Sequence, residues 1–221
     1  MHRFDRPRQA LAIGLAALAG QVDAIGFLSA EGYFVSFMSG NTTRLAVDLA
    51  VGWQVDWHRA LTPALLIAGF VAGVTAGAWL ARKSGAWRKP AIVGMVSALL
   101  LIAAALRAAG DGNASLAALV LAMGALNNTF QREGEVAVGL TYMTGALVRF
   151  GQGLGAVLAG EKREGWLANG LLWLGLALGA LAGALSFQQL GHAALWIAAG
   201  FGGSMALAAW RIAGRDAAQS T

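Results

Sequence analysis

The sequence predicts an all-α, polytopic membrane protein built from two homologous, inverted repeats, with six full crossings and two shorter or re-entrant segments. Three observations predict it. Apolar residues make up 57% of the 221-residue chain and charged residues 12%, about half the charged fraction of a soluble domain. The runs 60–81, 165–187 and 193–210 contain no charged residue, and each is near the roughly 20 residues a helix needs to cross about 30 Å of hydrocarbon. Finally, one decapeptide occurs twice in disguise: SFMSGNTTRL at 36–45 and TYMTGALVRF at 141–150, an offset of 105 residues.

Taken in order, the apolar segments are 9–29, 34–52, 60–81, 90–109, 113–131, 137–159, 165–187 and 191–212. The first four map onto the last four, so the repeats are 1–110 and 111–221, joined near Gly110-Asp111-Gly112-Asn113. In the first segment of each repeat, Gly20-Gln21-Val22-Asp23-Ala24 aligns with Gly124-Ala125-Leu126-Asn127-Asn128 and pairs Asp23 with Asn127. Arg3, Arg6 and Arg8 ahead of an apolar run ending Ala17-Leu18-Ala19 imitate a cleavable signal. Because residues 9–30 have a counterpart in the second half, a retained first helix is expected.

Loop charges choose the number of crossings. If all eight segments span, Lys and Arg divide nine inside to five outside, leaving out Arg44 and Arg149; if 34–52 and 137–159 do not fully cross, they divide twelve to two. The second arrangement obeys the positive-inside rule far better. It gives three crossings per repeat, an odd number, so the repeats face opposite ways in the membrane. Inverted repeats with one irregular segment each are a recurrent transporter plan. Irregular backbone at membrane depth has to be covered by protein or to line a watery cavity.

The 31 glycines would be costly in soluble helices but allow membrane helices to approach closely. GxxxG spacing at Gly69/Gly73/Gly77, Gly151/Gly155 and Gly175/Gly179/Gly183 therefore reads as packing, and such faces would also suit a homodimer. With no cysteine in the chain, disulfides, thiol catalysis and thiolate metal sites are excluded. The three histidines have no i, i+3 or i+4 pairing, so no metal site is expected. The net charge of +5 comes from short clusters flanking apolar runs rather than a basic face, and nucleic-acid binding is not expected. There is no P-loop, no nucleophile–histidine–acid set, no expected cofactor and no expected enzymatic activity.

The repeated motif holds the candidate site. Arg44 and Arg149 stand at matching places inside apolar stretches, where an unpaired guanidinium costs roughly 2.5–3.5 kcal/mol on insertion scales. As a pair near the repeat interface they would offer planar donor forks to an anionic or polar solute; structurally, each would pin its short helix to carbonyls or a carboxylate. Ser39, Asn41, Thr42 and Thr144 would be polar solute contacts, with Gly40 and Gly145 as points of close backbone approach. A break before a short helix would also present free N–H groups to an anion. Asp23, replaced by Asn127 in the second repeat, would be the coupling or counter-ion residue and would neutralise Arg44; Glu133 or Glu135 could reach Arg149. The competing reading of Asp23 is a buried ion pair that fixes packing.

Val22-Asp23-Ala24-Ile25-Gly26-Phe27, the run from Phe34 to Thr43, and Thr141-Tyr142-Met143-Thr144-Gly145 together resemble the YoaK-like family of bacterial membrane proteins, also called DUF1275. The resemblance covers nearly the whole chain, and Met-[Ser/Thr]-Gly-Asn-Thr is its most specific part. One departure is Asn127-Asn128, where Asn-Ala is expected. The resemblance implies a protein of the bacterial inner membrane and brings no site residues. The reading is thus a transporter or channel, with both termini cytoplasmic, for a small polar or anionic solute held between the two motifs. A scaffold or sensor acting through helix–helix contacts is the alternative.

Overall fold

The computed structural model describes residues 5–30, 32–52, 57–132, 135–136 and 139–219. Among them the chain is helical apart from its connections and one antiparallel pair, β1 (Gln131–Arg132) and β2 (Glu135–Val136). Eight α-helices follow in order: α1 (Arg6–Ser29), α2 (Met38–Gly52), α3 (Leu61–Ser84), α4 (Arg88–Ala108), α5 (Gly112–Leu126), α6 (Thr144–Leu158), α7 (Trp166–Leu190) and α8 (Ala194–Gln219).

Among the described residues, three helical stretches are long and apolar enough to cross a membrane: Arg6–Ser29, Leu61–Ala108 and Trp166–Ala218. The latter two are each folded back by a 3-10 turn, at Gly85–Trp87 and Gly191–Ala193, which divides α3 from α4 and α7 from α8. Both turns open on a glycine at positive φ, 51° at Gly85 and 56° at Gly191, where a side chain would be strained. The five long helices have 21 to 26 residues, about 32–39 Å at 1.5 Å per residue. By contrast α2 and α6 have 15 residues each, about 22 Å, as does α5, for which the sequence predicts a full crossing.

Helix α5 also has 15 residues and stops earlier than the apolar run to 131 suggests. Its end is built by side chains that take over the last carbonyls. Asn127 Nδ2 donates to the Met123 carbonyl at 3.1 Å, Asn128 Nδ2 to that of Ala125 at 3.3 Å, and Thr129 Oγ1 to that of Leu126 at 2.7 Å. These residues are buried, and their local bonds compete with continuation of the helix. At the other end, Asp111 caps α5 by accepting the Ala114 N–H at 2.9 Å, as Asp5 caps α1 by accepting that of Arg8 at 3.1 Å.

The helices of the two halves are interlaced. Helix α1 packs on α7 rather than on α3, and α5 packs on α3 rather than on α7; α4 lies against α8 and α5, and α8 against α4 and α1. Glycines set the closest approaches. A Cβ on Gly179 would strike the Ala17 carbonyl, one on Gly183 that of Gln21, and one on Gly20 that of Leu176. Likewise, a Cβ on Gly73 would strike the Leu121 carbonyl, one on Gly77 would crowd Ala125, and one on Gly124 would strike the Phe70 carbonyl. In both contacts residue numbers rise together, so α1 and α7 run parallel, as do α3 and α5. The glycine reading as packing therefore holds for the stripes at 69–77 and 175–183. It does not extend to Gly151 and Gly155, where a Cβ would meet nothing within 4 Å.

The core is largely α1 with parts of α4, α5 and α8, where Leu15, Leu18, Val22, Ile25, Val96, Met123 and Leu126 are fully buried. The outer sides of the long helices carry exposed Leu65, Val71, Trp79, Leu101, Ile102, Leu171, Leu178, Trp196 and Trp210, a coat suited to lipid rather than water. The ends of the bundle differ in charge. One end joins Arg8 to Asp216 at 2.7 Å and carries Arg6, the Arg82–Lys89 cluster, Lys162, Arg163, Arg211 and Arg215. We call it the terminal face. The opposite face brings Ser29, Thr62, Gly112 and Leu195 around one cavity and carries Arg59 and Arg107.

Candidate functional site

Both copies of the repeated motif begin as loop and become helix inside the motif itself. After α1 reaches the opposite face, residues 32–37 turn back along it. Gly26 packs under Val35, and Asp23 Oδ1 accepts the N–H of Val35 at 2.9 Å and of Ser36 at 2.8 Å. Asp23 lies six residues before the end of α1, about 9 Å from it, so α2 starts within the depth of the bundle. Helix α2 then returns toward the opposite face and packs on α3.

The second copy repeats this from the other side. Asn127 Nδ2 donates to Thr141 Oγ1 at 3.0 Å, at the positions that match Asp23 and Ser36. Helix α6 starts there and runs back along α7, with Gly153 against Trp166, Phe150 against Gly170, and Arg149 beside Asn169. It ends near the start of α7, at the terminal face. Two short helices therefore begin at depth and exit through opposite faces.

Beside Asp23 lies an open groove of about 290 Å³ between α1 and α7, walled by Gly20, Ala24, Phe27, Phe34, Leu176 and Ala180. The loop forming one side is held firmly. Asn41, fully buried, accepts the Phe34 N–H at 3.0 Å through Oδ1 and donates to the Phe34 carbonyl at 2.6 Å through Nδ2. The Phe34 ring lies 4.9 Å from Phe27 and 5.3 Å from Phe37. Gly40 tucks beneath Phe34 and Phe37, where a Cβ would clash.

Several expected site residues have other work. Asp23 does not neutralise Arg44: its Oδ1 is aimed at two backbone N–H groups of the returning loop, those of Val35 and Ser36. Arg44 is exposed, donates to the Gly32 carbonyl at 2.8 Å and lies 4.5 Å from the centre of the Tyr33 ring. Tyr33 in turn donates to Asp48 Oδ2 at 3.3 Å. Arg149, also exposed, donates to Asn169 Oδ1 at 3.2 Å, three residues into α7. The arginines therefore stand near opposite faces, on different flanks, instead of forming a pair at the bilayer centre. Their partners are a loop carbonyl and a helix amide, and long side chains near helix ends can reach the interface.

Asn41 clamps Phe34 instead of facing open space. Thr42 and Thr43 are exposed, and their hydroxyls turn back to the Met38 carbonyl at 2.8 Å and the Ser39 carbonyl at 3.2 Å. Ser39 and Thr144 are exposed, and Gly145 lies beside the Arg149 guanidinium. Glu133, named as a partner for Arg149, lies outside the described residues, as does the Glu135 side chain. Among the described residues no group of three or more His, Cys, Asp or Glu is placed to hold a metal. Ser36 and Thr141, the first residues of the two motif copies, meet Asp23 and Asn127 rather than the arginines, and Phe34 is the residue whose place beside the groove the sequence did not show. The offset alignment already paired Ser36 with Thr141, and that was the available signal.

Comparisons with known proteins place the chain among membrane proteins. Residues 11–208 match the family described as protein of unknown function (DUF1275). The chain is 40% identical over 188 residues to the UPF0700 transmembrane protein RA0705 of Rhizobium meliloti (strain 1021), covering 85% of this chain and 80% of that protein. No solved structure matches the chain.

Proposed function

The chain belongs to the DUF1275 family of membrane proteins, and from that premise we propose that it is a transporter or channel for a small polar or anionic solute. The observation that carries the proposal is the pair of short helices α2 and α6, which begin at depth against Asp23 and Asn127 and leave through opposite faces. Half-length helices at the interface of inverted repeats recur where solute sites are built. The exchanged packing of α1 with α7 and α5 with α3 supports reading 1–110 and 111–221 as inverted repeats. So do the matching Asp5 and Asp111 caps.

In this proposal the working element is Asp23 with its groove. A carboxylate at membrane depth is expensive and is expected to have a use. Asp23 is well placed to couple ion binding to the returning loop, because any change in its charge alters its grip on Val35 and Ser36. Asn127 would be the static counterpart. The arginines would fix α2 and α6. No chemical change to the solute is part of the proposal. The terminal face is the basic one, which favours a cytoplasmic position for both termini in a bacterial inner membrane. A scaffold acting through its glycine faces has less support, because the stripes on α3 and α7 are covered by α5 and α1 within this one chain.

The test is solute uptake into vesicles holding the purified protein, screened with small radiolabelled polar and anionic compounds. Asp23→Asn should keep the fold and lose most of the uptake. Undiminished uptake in that variant would remove Asp23 from the mechanism. The absence of uptake for every compound, in protein shown to be folded, would favour the scaffold.

A further inference from the structure

We infer that the cavity at the opposite face is a binding site for a small organic carboxylate, with Arg107 as its charged anchor. The cavity measures about 270 Å³. Its polar wall has Arg107, Tyr33, Thr62 and Asn113, and its apolar wall has Leu116 and Leu195. No aspartate or glutamate is among the described residues that line it. Arg107 makes no ion pair with a described residue; its Nη2 lies 2.6 Å from His192 Nε2. That contact fixes one edge of the guanidinium and leaves its other N–H donors available. Gly112 makes room for them, since a Cβ at that position would overlap Arg107 Nη1.

The field in the cavity favours an anion. The N-termini of α3, α5 and α8 reach it through Thr62, Gly112 and Leu195, and helix N-termini carry partial positive charge. The C-termini of α1 and α4 also reach it, but α4 brings Arg107 in its last turn. Asp111 stands outside the wall and is engaged in capping α5. The planar fork of arginine matches the two oxygens of a carboxylate, and the leucines offer contact to a short hydrocarbon or ring. The site is separate from the Asp23 groove, and it stands whether or not solute crosses the membrane.

Titration calorimetry on the purified full chain in detergent tests it, with sodium benzoate and sodium butyrate as probes and benzamide as the uncharged control. At least one carboxylate should bind saturably at one site per chain, and benzamide should not. Arg107→Gln should weaken binding by about tenfold or more, as loss of a charged hydrogen-bond donor does. Leu116→Trp, which keeps the charge and fills the space, should abolish binding and decides the matter if Arg107→Gln fails to fold. The inference is overturned if neither carboxylate binds saturably, if benzamide binds as well as benzoate, or if folded Arg107→Gln or Leu116→Trp binds like the parent. Arg107-dependent binding of inorganic phosphate without either carboxylate would overturn the ligand class.

Discussion

Asp23 accepts the backbone N–H of Ser36 at 2.8 Å, tying the depth of α1 to the start of α2. Its counterpart Asn127 meets Thr141, which occupies the place of Ser36, by side chain alone, with Asn127 Nδ2 and Thr141 Oγ1 at 3.0 Å. The same two positions hold the same two segments together in each half, with a carboxyl group in one copy only.

Asp23→Asn and Asp23→Ala should therefore separate. Asparagine keeps an oxygen that can accept both N–H groups, as Asp23 Oδ1 does; alanine leaves them without a partner at about 1–3 kcal/mol for each buried group. Thermal unfolding in detergent, followed by size-exclusion chromatography, should show a clearly larger loss for Asp23→Ala. Equal losses would mean that the two hydrogen bonds do not hold the loop.

The glycine contacts make a paired prediction. Gly179→Ala and Gly73→Ala each push a Cβ into a facing backbone carbonyl and should each destabilise the protein by about 1–3 kcal/mol, as overpacking does. Gly155→Ala meets open space and should stay within about 0.5 kcal/mol of the parent. The same thermal assay ranks them.

Asn41→Ala should be more damaging than Arg44→Ala. Asn41 is fully buried and satisfies both backbone groups of Phe34, so its loss leaves unpaired polar groups worth about 1–3 kcal/mol each. Arg44 is exposed and donates to one carbonyl; losing that bond should lower stability by about 1 kcal/mol. An Arg44→Ala variant that fails to fold would contradict its placement.

The fold was legible where periodic apolar runs and the internal offset agreed. The order of the eight helices follows from those signals; of the six segments expected to span, five became long helices and the one at 113–131 became the 15-residue α5. The early end of α5 was not, because Asn127, Asn128 and Thr129 lie inside an apolar stretch and end the helix through local side-chain bonds whose geometry a hydropathy pattern does not specify. Nor was the partner of Asp23. A charge count matches an aspartate to an arginine, whereas the returning loop offers two aligned backbone N–H groups that no sequence pattern displays. The arginines looked central because their segments are apolar, but α2 and α6 are only half-length, which brings Arg44 and Arg149 close to the faces. The crossing of partners between halves, α1 with α7 and α5 with α3, leaves no local trace in sequence. The matched glycine stripes were its one hint.

The central claim is that α2 and α6 enter from opposite faces and return. The natural absence of cysteine allows the most direct measurement, labelling of single cysteines in intact cells with a membrane-impermeant maleimide. Gly110→Cys marks the opposite face, Gly85→Cys the terminal face, Arg59→Cys the exit of α2 and Gly160→Cys the exit of α6. The account predicts that positions 110 and 59 label from outside, while 85 and 160 label only after the cells are opened. Labelling of 59 only from inside, or of 160 from outside, would mean that the corresponding short helix spans the membrane, and it would contradict the inverted arrangement.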